Sequence, residues 1–164
     1  MKLVKIQQEI IKNYHKLSHD KNNKIREKLP IKYARIDNKV HLAFRTYIVC
    51  FTEDELYIDL EKLNDIPGRL GITNFEDEIC IKRIISSTSC EPNASLTGNI
   101  KKDGSLEMIE ISNGNKLTYV DKKILDIFEC QKFYFNDVNS PVTCYDDDNE
   151  YLGIILPIAV KGNK

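Results

Sequence analysis

Long apolar runs, metal-ligand spacings and catalytic signatures are what this chain lacks. No stretch approaches the roughly 18 consecutive apolar residues that a bilayer-spanning helix needs, and Met1-Lys2-Leu3-Val4-Lys5 has no apolar signal-peptide core. A cytoplasmic protein without a membrane partner is therefore expected. The five cysteines, Cys50, Cys80, Cys90, Cys130 and Cys144, are odd in number and show no CxxC spacing. That favours reduced, mostly buried thiols over a zinc site or a disulfide framework. There is no GxxxxGK[ST] and no GxSxG, and Gly68-Arg69-Leu70-Gly71 is too short for a dinucleotide loop.

The few titratable clusters that do occur fall short of a site. His15 and His19 are four apart and could share a helix face, but third and fourth metal ligands are not evident. His41 and Cys50 lie on one extended segment at odd separation, which on a regular strand sends them to opposite faces and disfavours a dyad. Read as a calcium loop, Asp146-Asp147-Asp148-Asn149-Glu150 would put Tyr151 where Gly is needed and Pro157 where a bidentate Glu is needed. It reads better as an acidic hairpin turn, with a weak Mg²⁺ contact as the lesser reading. Phe133, Tyr134 and Phe135 beside Lys132 read as a core strand with Tyr134 at its rim, and base stacking is the alternative. No enzyme, cofactor or resident metal is expected.

What is present is a globular composition with uneven charge. The chain is 41% hydrophobic and 30% charged, which fits one domain over residues 1–164. Its net charge is −1, yet residues 1–28 carry eight basic and three acidic side chains, leaving −6 for the remaining 136. A basic arm on an acidic body offers one face to a polyanion or an acidic partner. Leu3, Ile6, Ile10, Tyr14 and Leu17 recur at three and four, predicting an amphipathic helix whose other faces hold Lys5, Lys12 and Lys16. Those three lysines are the first candidates for phosphate contacts, against the plainer reading of a solvated outer face.

From residue 31 to 160 the period turns to that of a sheet. Ile31 to Ile36 reads as a strand and Asp37-Asn38 as a turn, followed by one long strand from Lys39 to Phe51 that bends near Arg45-Thr46. Leu56, Ile58 and Leu60 predict a further strand. Short helices are expected around Ile25 to Leu29 and Lys62 to Ile66, while Ile79, Ile81, Ile84 and Ile85 fit either a strand or a helix. Asn113-Gly114 reads as a two-residue type I′ turn between strands, and Asp121 as the cap of a helix over Lys122 to Glu129. A closing strand places Leu152, Ile154, Leu156, Ile158 and Val160 on one face. The fold class is α+β, a mainly antiparallel sheet with an N-terminal amphipathic helix and a short helix near 121–129.

Leu117-Thr118-Tyr119-Val120-Asp121-Lys122-Lys123-Ile124-Leu125-Asp126-Ile127-Phe128 resembles the strand-to-helix passage of bacterial DNA polymerase sliding clamps. Asn139-Ser140-Pro141-Val142 and Leu156-Pro157-Ile158 resemble that family's approach to, and end of, its closing hairpin, so the likeness covers about residues 105–160. It implies a clamp-like, non-catalytic accessory of DNA replication in which Lys122 and Lys123 face duplex phosphates and Leu156, Pro157 and Ile158 receive a short peptide. A ring from this one-domain chain would be a homo-oligomer of six copies. The Lys, Asn, Ile and Asp-rich composition also looks like that of phages and plasmids of AT-rich bacteria. The alternative function is accordingly a small phage or mobile-element protein that binds and inhibits a host nucleic-acid-processing protein, of anti-CRISPR or other anti-defence type.

Overall fold

The structure, a computed structural model, describes residues 3–19, 31–44, 46–60, 75–76, 78–86 and 91–160. It is α+β with mostly antiparallel strands, and it divides into two compact units, residues 2–84 and 85–164. Each is described by itself.

The first unit opens with helix α1, Leu3–His19. Ile6, Gln7 and Ile10 are buried while Lys5, Gln8 and Lys12 are exposed, as the three-four periodicity requires. Strand β1 (Lys32–Ile36) turns through Asp37-Asn38 into β2 (Lys39–Phe44). Both turn residues have positive φ, 51° and 61°, the backbone of a two-residue type I′ link that Asp and Asn tolerate better than other side chains.

The expected long strand is instead two. After β2 the chain reverses and returns as β3 (Tyr47–Thr52), pairing Phe44 with Tyr47 and Lys39 with Thr52. Folding back between β2 and β3 doubles the ladder hydrogen bonds available to the same apolar residues, which a single bent strand cannot do. A two-residue strand β4 (Phe75–Glu76) runs parallel to β1, giving the order β4-β1-β2-β3 within this unit.

The strand expected over Leu56, Ile58 and Leu60 is also absent among the described residues. A 3-10 turn, Glu53–Glu55, follows β3, and the Glu55 carboxylate accepts from the Thr52 N–H at 2.9 Å. Beyond it the backbone is satisfied by a side chain: Gln7 Oε1 accepts from the N–H groups of Tyr57 (2.6 Å) and Ile58 (3.2 Å), and its Nε2 donates to the Glu55 carbonyl (2.7 Å). The ambiguous isoleucines resolve as helix α2, Glu78–Ser86, with Ile81 buried, Ile79 85% exposed and a Glu78 to Lys82 ion pair along the exposed face. The helices expected near 25–29 and 62–66 lie outside the described residues.

The second unit holds one three-stranded sheet, a further set of three paired strands and one short helix. In the first sheet β5 (Ser95–Asp103), β6 (Leu106–Ser112) and β7 (Leu117–Asp121) stand in that order. β8 (Lys132–Tyr134), β9 (Val142–Tyr145) and β10 (Tyr151–Ile155) are also neighbours in chain order. Backbone bonds between Ala94 and Phe133 tie the start of β5 to β8. Asp121 caps helix α3, Lys122–Phe128, by accepting from the Lys123 N–H at 2.9 Å, and Glu129 closes it in the left-handed region. α3 lies against β6, β7 and β10 and buries Leu125, Ile127 and Phe128.

Two expectations in this unit are corrected. The β6–β7 hairpin has a four-residue loop, Asn113 to Lys116, with positive φ only at Gly114. Asn113 Oδ1 accepts from the N–H groups of Asn115 and Lys116, so an Asx turn displaces the type I′ geometry. The closing strand stops at Ile155 rather than running to Val160. Pro157 has no N–H to continue a ladder, and the chain leaves β10 so that the Ile158 N–H donates to the Tyr119 carbonyl at 2.8 Å beside β7. Ile154 stays buried as expected, but Leu156 is 42% exposed.

Candidate nucleic-acid and partner interface

The predicted lysines occupy different settings. On α1, Lys5 and Lys12 are exposed and seven residues apart, about two helical turns or roughly 10 Å along one face, with exposed Gln8 between them. Lys16 lies on the same helix, though its side chain is outside the described residues. No acidic residue occupies the first turn of α1. On α3 the lysines are partly compensated: Lys122 Nζ donates to the Asp126 carboxylate at 2.5 Å, a bond that raises the Lys122 pKa. Lys123 is exposed beside it.

The predicted peptide-binding segment lies along the outer edge of β7. Leu156 is exposed, Pro157 and Ile158 are half-buried, and the Ile158 to Tyr119 hydrogen bond fixes the segment there. Thr118, next along β7, donates its hydroxyl to the Val138 carbonyl at 2.8 Å. Leu117, at the start of β7, and Val138, in the segment before β9, are each 42% exposed, and Thr118 joins β7 to that segment.

His41 and Cys50 face each other, contrary to the single-strand reading. The reversal between β2 and β3 makes them direct cross-strand partners, with Nε2 and Sγ 3.8 Å apart in the core. Odd separation means opposite faces only while the chain runs straight. Their chemistry nevertheless opposes catalysis: desolvation, reinforced by Lys39, lowers the His41 pKa to about 4, and desolvation raises the Cys50 pKa to about 11. A nucleophilic dyad needs those shifts in the other direction, so at neutral pH this pair holds a thiol and a neutral imidazole.

A buried carboxylate escaped the sequence reading. Glu110 on β6 is 6% exposed, and β5 places three residues, Thr97, Gly98 and Asn99, opposite it in a bulge. Thr97 Oγ1 and Asn99 Nδ2 donate to Glu110 Oε1 at 2.8 and 2.9 Å, while the Tyr119 hydroxyl donates to Oε2 at 2.5 Å. These donors, Tyr119 first, hold its pKa below the usual carboxylate value despite burial. Lys101 Nζ lies 4.4 Å from the centre of the Tyr119 ring. Gly98, at φ +85°, was the available signal, because a lone glycine within a strand marks a bulge.

The acidic turn is internally bonded. Asp146 Oδ1 accepts from the N–H groups of Asp148 and Glu150, and Lys132 Nζ donates to the Asp147 carbonyl at 2.6 Å and to Asn149 Oδ1 at 2.8 Å. An ammonium thus occupies the place a cation would seek. Among the described residues no three His, Cys, Asp or Glu side chains gather as metal ligands, and no helix is long and apolar enough to cross a membrane. The fold defines an α+β protein of mostly antiparallel strands. No family model, curated protein or solved structure matches the chain.

Proposed function

We propose that this is a non-catalytic DNA-associated binding protein, a clamp-like replication accessory that meets duplex phosphates through the outer face of α1. The observation that carries the reading is the exposed line Lys5, Gln8, Lys12 opposite buried Ile6, Gln7 and Ile10. Helix packing leaves those ammonium groups in water, where they can exchange counterions with a polyphosphate without reading bases. Lys123 with ion-paired Lys122 adds a weaker contact.

Fluorescence anisotropy with a 30-mer duplex at low salt tests this. Micromolar binding that weakens with added salt and is lost in Lys5→Glu/Lys12→Glu is the expected outcome. Wild-type protein that leaves the duplex free at low salt removes the reading.

A second reading is favoured by the exposed Leu117, Val138 and Leu156. On it, the β7 edge and the Leu156-Pro157-Ile158 segment grip a host nucleic-acid-processing protein, as a phage or mobile-element inhibitor would. A stoichiometric complex abolished by Leu156→Asp, with DNA binding untouched, would select it over the first.

A further inference from the structure

We propose that Asn113 is a self-modifying residue: the β6–β7 loop converts its side-chain amide, through a cyclic imide formed with Gly114, into aspartate and isoaspartate. Asn113-Gly114 is the sole Asn-Gly step in the sequence, and Gly114 is exposed. The inference stands on the arrangement around that step and rests on neither functional reading.

The loop gives each reacting atom a partner. The Gly114 N–H, whose nitrogen is the nucleophile, donates to Ser112 Oγ at 3.0 Å. Asn113 Oδ1, where negative charge develops during attack, accepts from the N–H groups of Asn115 and Lys116 at 3.1 and 2.9 Å. Two backbone donors on that oxygen polarise the amide and stabilise the oxyanion of the tetrahedral intermediate. Gly114 has φ +88°, and beyond its chain neighbours nothing lies within 4 Å of where a Cβ would stand. Its backbone can therefore turn toward the Asn113 side chain without a clash.

The steps balance with water as the only co-reactant. The Gly114 nitrogen gives up its proton through Ser112 Oγ and bonds to Asn113 Cγ, closing a ring, while the carbonyl electron pair moves to Oδ1. As that pair returns, the Cγ–Nδ2 bond breaks and ammonia leaves with the proton, so the ring becomes an imide. Water then opens it. Cleavage at Cγ gives aspartate; cleavage at the Asn113 main-chain carbonyl gives isoaspartate, whose backbone runs through the former side chain and is longer by one methylene.

Both products carry a carboxylate that the amide lacked. The isoaspartate form also displaces the Asn113 N–H from the Lys116 carbonyl, the 3.2 Å bond that closes the loop. Lys116 in turn reaches the segment before β9, since its Nζ donates to the Asn136 carbonyl at 2.9 Å. Asn139 in that segment is the internal comparison. It is exposed, but the N–H that follows it, on Ser140, donates to the Asp137 carbonyl at 2.9 Å.

Full-length protein is aged near neutral pH, both native and in guanidinium chloride, and mapped by peptide mass spectrometry with fragmentation that separates aspartate from isoaspartate. Asn113 is expected to become an acid before Asn139 does, with both products present, and at least as fast in the native protein as in the unfolded chain. Ser112→Ala is expected to slow the native reaction roughly fivefold, the worth of one ordinary hydrogen bond, and to leave the unfolded rate unchanged. Asn113 that stays an amide in native protein while converting in guanidinium chloride would overturn the proposal. So would Asn139 converting first. If Ser112→Ala does not fold, the native and unfolded rates of the wild type decide the matter.

Discussion

Glu110 shows how much one side chain can organise. Three donors from two neighbouring strands converge on its carboxylate, and the β5 bulge exists where Thr97 and Asn99 reach the same oxygen. Glu110→Gln would turn an amide N–H₂ toward at least one of those donors, and a loss of about 2 kcal/mol in unfolding free energy is expected from urea titration. His41 makes a second, separable contribution. Its folded pKa of about 4 lies below the ordinary 6.5, so the unfolded chain binds the proton more readily between those values. Stability should then be full above pH 6.5 and fall as the pH drops toward 4, by at most about 3 kcal/mol. The Glu110 contribution, from a depressed carboxylate, is lost only at lower pH, below the ordinary glutamate range. Urea midpoints from pH 7.5 to 4 should flatten in His41→Gln; an unchanged slope would remove His41 as the cause.

Among the elements, α1 and α3 are held by different means. α1 contributes one buried amide that stands in for a neighbouring strand, since Gln7 bonds three backbone groups of residues 55–58. Gln7→Ala strands those groups in a buried setting, and a destabilisation of roughly 2–4 kcal/mol is expected, with accelerated hydrogen exchange at the Tyr57 and Ile58 amides. α3 has only seven residues, too few to persist without tertiary support, so its cap matters. Asp121→Ala should cost about 1 kcal/mol and Asp121→Asn much less, because Asn still offers an acceptor to the Lys123 N–H. Equal losses in both variants would mean that charge rather than the cap bond was responsible.

For the molecule as a whole, charge is the property most open to test. The basic 28-residue arm and the acidic remainder nearly cancel, so any DNA contact has to be local. If Lys5 and Lys12 each meet one phosphate, removing both should lessen the slope of log affinity against log salt by about 1.8, whereas an effect on overall charge alone would leave no such discrete step. The features legible in the residues were those decided within a few positions. The α1 periodicity, the Asp37-Asn38 turn, the Asp121 cap and the burial of Phe133 and Phe135 depend on backbone preference and near-neighbour spacing, which the chain carries wherever it folds. Tertiary structure decided the rest. The alternating apolar residues from Lys39 to Phe51 are compatible with one strand or two, and only pairing across space made them a hairpin and set His41 against Cys50. Likewise the exposed β5, the Glu110 bulge, the Gln7 bonds and the departure of residues 156–158 from β10 follow from which distant backbone groups needed partners. Local order records the preferences of a segment, but hydrogen-bond satisfaction and burial are settled only when segments far apart in the chain meet.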